Sequence, residues 1–208
     1  VEDSRPQSFA VQAGATTLTF SSPTRSASAT DSEPSYHFAF NIPSDQIESA
    51  CRWLRARATV LKDEDGQQIV RFGSWNASAV YFHDPAGNIV EFIARHDLAH
   101  RTDGEFHVDQ VLGVSEIGIA IPESIGVVSA AAQLTQSLGL QPYRPISADF
   151  AAMGTEHGLL ILVRAGRPWF MSPESTARIR PAGVVLRGDS DGSCRFADLP
   201  ISIAMARH

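Results

Sequence analysis

The period of hydrophobic and polar alternation along the chain switches repeatedly between two residues, the strand period, and the longer period of a helix. YHFAFNIP (36–43) alternates strictly: Phe38, Phe40 and Ile42 form an apolar side, and His37, Ala39 and Asn41 the other, as in a strand. SDQIESACRWLRAR (44–57) then spaces Ile47, Ala50, Cys51 and Leu54 as one buried helical stripe, with Asp45 and Glu48 reading as a capping box. VLKDEDGQQIVRFGSW (60–75) predicts a hairpin or long strand turning at Asp65-Gly66. SAVYFHDP (78–85) and NIVEFIAR (88–95) predict two strands around the turn Asp84-Pro85-Ala86-Gly87-Asn88, where Pro fixes φ and Gly permits a positive one. Residues 36–95 therefore predict strand, helix and about three further strands.

A polar stretch, RHDLAHRTDGEFHVDQ (95–110), reads as a linker, after which the pattern restarts. SEIGIAIP (115–122) also ends in Ile-Pro; aligning Pro122 with Pro43 sets Ile117, Ile119 and Ile121 on Phe38, Phe40 and Ile42, and Glu116 on His37. A helix follows at 125–140, with the stripe Val127, Ala130, Ala131, Leu134 and Leu138 and a stop at Gly139. Two strands are predicted within 149–166, and AGVVLRG (182–188) as the fourth of the set. This is an internal repeat of pattern rather than of identity. FAVQAGATTLTF (9–20) reads as two short strands around Gly14 and resembles DFAAMGTEHGLLILV (149–163), so the chain is expected to open inside a module. The organisation that follows is residues 1–35 as residual strands plus a connection, 36–100 as a complete module, and 111–208 as a second module with a C-terminal extension. Residues 1–8 are expected to fray, and the Ser/Thr/Pro-rich 21–35 to be a surface connection of low order.

Composition excludes more than it assigns. Of 208 residues, 43% are hydrophobic and 19% charged, as in ordinary globular proteins. The net charge of −6, with scattered Arg residues, argues against nucleic acid or an anionic membrane as partner. No apolar run approaches the roughly 18 residues of a membrane span, and the polar N-terminus is unlike a signal peptide. The two cysteines, Cys51 and Cys194, are far apart and in no metal-type spacing, which fits a reduced, cytoplasmic protein.

One acid breaks the pattern. Glu91 lies between Val90 and Phe92 and shares its strand face with Ile89 and Ile93. His37 and Glu91 each occupy the less apolar face of their strands, so both could point into one concavity; equally, the pair could make a hydrogen bond at a sheet edge. Tyr81 and His83 share a strand face. Trp75 serves equally as a pocket wall or as core. Cys51 falls on the buried stripe. His96 and His100 have helical metal-pair spacing but sit in a polar stretch, where solvation is the simpler reading. GRPWF (166–170) would anchor a loop or an interface.

YHFAFNIP, the helix after it and AVYFHDPAGNIVEFIA together resemble the vicinal oxygen chelate superfamily, which groups glyoxalase, extradiol dioxygenase and the fosfomycin- and bleomycin-resistance proteins. The last segment is similar to that family's aromatic-x-Asp-Pro-x-Gly-Asn-x-x-Glu ending. The resemblance covers 36–95 well, 115–188 more loosely and 9–20 as a fragment. It implies an α+β fold of paired βαβββ modules, curling into a cupped mixed β-sheet with the helices outside. It also implies metal ligands on the first strand of each module and on a last strand. Carried over by position, these are His37, Glu91 and Glu116; AGVVLRG offers no carboxylate for a fourth.

One imidazole and two carboxylates suit iron, manganese, zinc or nickel, and such an ion could act as a Lewis acid or activate water. The expectation is a divalent-metal-dependent lyase, isomerase, transferase or dioxygenase on a small molecule with vicinal oxygens, with Trp75, Tyr81 and His83 lining its pocket. No catalytic group is named by the residues. The alternative is a metal-free protein that sequesters a ligand, like the bleomycin-resistance relatives; without a metal, Glu91 and Glu116 in one dry cavity would repel, and one would be protonated. A third reading is an inactive remnant. Modules 36–95 and 115–188 would pair in a permuted order, within one chain or across a dimer, and strands 9–20 would extend a sheet edge or be exchanged with a neighbour; because such an edge invites aggregation, a homodimer is expected.

Overall fold

The computed structural model describes residues 8–22 and 36–207. Residues 1–7 and nearly all of the 21–35 connection lie outside the described residues. The chain forms two compact units, one holding 8–22 and 40–114, the other 36–39 and 115–207. Strand β3 (His37–Ile42) contributes to both.

In the first unit, β4 (Ile69–Phe72), β5 (Ala77–His83) and β6 (Ile89–Arg95) follow the order β4-β5-β6-β3, with β4–β5 and β5–β6 antiparallel. Helix α1 (Ile47–Arg55) buries the predicted stripe, Ile47, Ala50, Cys51 and Leu54. It packs on Ile42, Val80, Phe92 and Ala94, with Phe106 and Val111 completing the core. The expected capping box does not form: Gln46 is the N-cap and makes no side-chain cap bond. Both acids are engaged elsewhere, Asp45 accepting from the Thr102 amide at 3.4 Å and Glu48 from Arg71 at 3.1 Å.

The stretch 95–110 is not a free linker. Gln46 Nε2 donates to the Thr102 carbonyl at 2.8 Å, Ser49 Oγ donates to Glu105 at 2.7 Å and accepts from the Phe106 amide at 2.7 Å, and Phe106 is buried. Between 60 and 68 no full strand forms. Val60 makes a single bridge to Phe82, and Asp63 organises a turn by accepting from the Asp65 and Gln67 amides.

β1 (Ser8–Ala13) and β2 (Thr16–Ser21) are the predicted hairpin around Gly14, but they form a two-stranded sheet of their own rather than extending an edge. Their turn is anchored: the Ala15 amide donates to the Leu112 carbonyl at 2.9 Å, and the Val114 amide to Thr16 Oγ1 at 3.1 Å. Of the two strands only Ala13 is buried, and it joins the core of the first unit; the other residues are exposed or half-buried.

In the second unit, β7 (Gly113–Ile121) pairs in parallel with β9 (Gly158–Arg164), and β9 antiparallel with β8 (Phe150–Thr155), in the order β3-β7-β9-β8. Helix α2 (Val127–Leu138) ends at Gly139, which adopts φ +69. Its buried stripe is the predicted one, packed on Ile119, Ile121, Leu160 and Leu162.

β12 (Ala182–Gly188) is a strand where AGVVLRG predicts one, but not the fourth of this set. It pairs in parallel with β14 (Ile201–Arg207), which also pairs with β13 (Gly192–Arg195), in a separate three-stranded sheet. The reason is hydrophobic: Cys194, Phe196, Ile201 and Ile203 join the α2 core, so the C-terminal segment needs its own sheet to satisfy its backbone. β10 (Pro168–Trp169) and β11 (Ser172–Thr176) form a short hairpin. The fold is α+β, a mixed sheet with two helices, as the sequence implies.

Candidate metal centre

Glu91 is set by a turn. Asp84 Oδ1 accepts from the amides of Ala86 and Asn88 at 2.9 and 2.8 Å, Oδ2 accepts from Asn88 Nδ2 at 2.8 Å, and Gly87 takes φ +78. This fixes the β5–β6 register with His83 opposite Ile89 and Tyr81 opposite Glu91. A slip of one residue would exchange the faces of β6. In the observed register Phe92 and Ala94 lie against α1, so Glu91, Ile93 and Arg95 project from the other face. Glu91 is nevertheless only 2% exposed and Tyr81 5%. Further along the same face, buried Arg95 donates from Nε to Asn41 Oδ1 at 3.2 Å and has its guanidinium 5.9 Å from the Trp75 ring centre. Trp75, in a 3-10 turn, is half-buried, as is His83. His96 and His100 are exposed, as the sequence suggests.

The second unit brings His37 and Glu116 together. Ile117, Ile119 and Ile121 face α2, which turns Glu116, Gly118 and Ala120 to the opposite side of β7. Both His37 and Glu116 are buried, and they offer ligand atoms within 4.8 Å of each other. Trp169 packs beside the imidazole, its ring centre 5.3 Å away. Gly118 makes that contact possible: a Cβ there would fall 2.5 Å from Trp169 Cη2 and 3.3 Å from His37 Cβ. Beside them, burial pushes the Tyr36 phenol up, with the charge of Arg180 opposing, and its hydroxyl donates to the Pro181 carbonyl at 2.7 Å.

No family model matches the chain, and no curated protein matches it. Among solved structures, the fold is similar to a candidate dioxygenase from Bacillus subtilis subsp. subtilis str. 168, at 15% identity and a TM-score of 0.48 over 82% of this chain and 61% of that one. It is also similar to glyoxalase I from Zea mays, at 14% identity and a TM-score of 0.44 over 81% of this chain and 66% of that one. The chain thus spans less than two thirds of the length of either.

Of the residues singled out in the sequence, His37 and Glu116 are neighbours, Tyr81 flanks Glu91, and Trp75 and His83 lie at the margins of the Glu91 face. Trp169 and Arg95 carry roles that sequence reasoning missed. GRPWF marked the first as an anchor, but nothing local says that it packs on His37. Arg95 stands at the end of a strand, where a basic residue ordinarily reads as solvated.

Proposed function

We propose that His37, Glu91 and Glu116 hold one divalent cation, and that the protein is a metal-dependent enzyme acting on a small molecule with two adjacent oxygens. The observation that carries this is the buried His37–Glu116 pair, with ligand atoms within 4.8 Å on the side of β7 turned away from its helix. Glu91 joins it by strand logic. The Asn41–Arg95 hydrogen bond sets those two side chains on one face; by the two-residue period His37 continues that face along β3 and Glu91 along β6.

The donor set fits a cation. It is one imidazole and two carboxylates, all buried, and buried carboxylates call for positive charge close by. Oxygen-rich sets with one imidazole suit iron, manganese, zinc or nickel. Bound there, the ion would supply Lewis acidity and open positions for the substrate oxygens. The chain's own residues do the positioning. Tyr81 stands across from Glu91, the Asp84 turn keeps Glu91 in register, and Trp169 packs beside the His37 ring.

Metal analysis of protein purified without chelator tests the proposal. The expected result is close to one equivalent of a first-row divalent ion, lost in both His37→Ala and Glu91→Ala while far-UV circular dichroism is unchanged. A folded parent that takes up none of iron, manganese, zinc or nickel on reconstitution would contradict it, leaving metal-free ligand binding as the better reading.

A further inference from the structure

The sequence holds three Asp-Gly pairs, Asp65-Gly66, Asp103-Gly104 and Asp191-Gly192. At such a pair the backbone can rearrange on itself, because glycine has no side chain to keep its amide nitrogen away from the preceding carboxyl. The fold restrains two of the three. The Gly66 amide donates to the Asp63 carbonyl at 3.0 Å, and the Asp65 amide to Asp63 Oδ1 at 3.1 Å. Asp191 Oδ1 accepts from the Arg207 amide at 3.1 Å, and Gly192 lies in β13, where a Cβ would meet Leu138 Cδ2 at 3.0 Å. Asp103-Gly104 is different. Both residues are exposed, and Gly104 takes φ +84 with nothing within 4 Å of where a Cβ would sit. Among the described residues its amide donates no hydrogen bond.

We infer that Asp103 is a site of backbone isomerisation, and that the isoaspartyl product unfastens residues 102–106 from α1. In the first step the Gly104 amide nitrogen attacks Asp103 Cγ. A C–N bond forms, the carboxyl hydroxyl and the amide proton leave as water, and a cyclic succinimide results. In the second step water adds back at one of the two imide carbonyls. Cleavage at Cγ restores aspartate. Cleavage at the main-chain carbonyl carbon leaves Gly104 joined through Cγ, with one extra carbon in the backbone and the former main-chain carbonyl as a free carboxylate. Water is the only co-reactant. The extra carbon falls inside a clasp: Gln46 Nε2 donates to the carbonyls on either side of Asp103, Thr102 at 2.8 Å and Gly104 at 3.2 Å. A backbone lengthened between those carbonyls no longer presents both to one nitrogen. Two residues on, the Phe106 amide donates to Ser49 Oγ at 2.7 Å, and its ring is buried in the core of the first unit, so opening at Gln46 draws on that contact next.

The test is to hold the full chain for weeks in mildly acidic buffer at physiological temperature, digest it briefly, and separate aspartyl from isoaspartyl peptides by electron-transfer fragmentation. Isoaspartate should accumulate at Asp103 about threefold faster or more than at Asp65 or Asp191, where a hydrogen bond must first break. In urea, where the fold no longer chooses between them, the three rates should converge. The isoaspartyl fraction of intact protein, isolated by ion exchange, should exchange its Phe106 amide proton at least about tenfold faster than fresh protein, the loss of one buried hydrogen bond. Asp103→Glu keeps the charge but closes the larger imide ring far more slowly, so it should age with that protection intact. No isoaspartate at Asp103, equal rates at the three sites in folded protein, or a ranking that persists in urea overturns the site. Phe106 protection that is unchanged in the isoaspartyl fraction, or lost equally in aged Asp103→Glu, overturns the unfastening. No metal enters this chemistry, so its outcome is independent of the cation reading.

Discussion

Gly118→Ala is the smallest change that reaches the centre. Its backbone does not require glycine, since only space is at issue: the added Cβ would lie 2.5 Å from Trp169 Cη2 and 3.3 Å from His37 Cβ. Ordinary carbon contacts begin near 3.5 Å, so one side chain must give by about an ångström. His37 Cβ is tied to the backbone, and Trp169 is 7% exposed with core around it. Overpacking of this kind costs about 1–3 kcal/mol, which for a chain of this size lowers Tm by about 2–12 °C. Urea unfolding followed by far-UV circular dichroism measures it. The decisive comparison is Trp169→Leu, in which the obstructing ring edge is gone. There, Gly118→Ala should cost less than about 0.5 kcal/mol, so that the double-mutant cycle shows a coupling of about 0.5–3 kcal/mol. If Gly118→Ala is neutral in the parent, or its cost is the same in both backgrounds, the packing of Trp169 over Gly118 and onto His37 is wrong.

Ser49→Ala removes a hydroxyl that accepts from the buried Phe106 amide, so urea unfolding should show a loss of about 1–3 kcal/mol. The same hydroxyl, with Arg52 second, holds the Glu105 carboxyl below its ordinary value; its contribution is present above that ordinary value and is lost as the pH falls through the lowered one, so the acid limb of the parent's stability profile should be steeper than that of Ser49→Ala. Burial pushes the thiols of Cys51 and Cys194 up; neither should react with iodoacetamide at neutral pH in folded protein, both should react in urea, and rapid labelling of the folded state would contradict their placement. Gly14→Ala sets a Cβ 2.2 Å from the Leu112 carbonyl carbon at φ +54, so the bond from the Ala15 amide to Leu112 should break, seen as loss of hydrogen-exchange protection at Ala15 with the rest of the first unit unchanged.

Both helices were legible in the sequence because each carries one continuous apolar stripe that its unit buries. The β5–β6 hairpin was legible because Asp84-Pro85-Ala86-Gly87-Asn88 is a turn with a mechanism: one carboxylate satisfies three donors at once. Parity alone then assigned Glu91 and His37 to polar faces. Three things escaped for a common reason, which is that they depend on contacts distant in sequence. Asp45 and Glu48 had the spacing of a capping box, but Thr102 and Arg71 compete for them. AGVVLRG had the composition of a strand, but its partner is Ile201–Arg207 rather than β7 or β9. Trp169 belongs to a two-residue strand with no periodicity to read, and its importance rests on Gly118, far earlier in the chain.

The central claim is that His37, Glu91 and Glu116 act together on one cation, and the stoichiometry of manganese binding tests it most directly. Metal-free protein titrated with Mn2+, with free ion counted by electron paramagnetic resonance, should bind one ion per chain. Glu91→Gln and Glu116→Gln, which keep shape and remove charge, should each weaken that binding by at least about tenfold, the factor that 1.4 kcal/mol represents. Binding of one ion that is unaffected by either change, or no saturable binding by folded protein, would contradict the account.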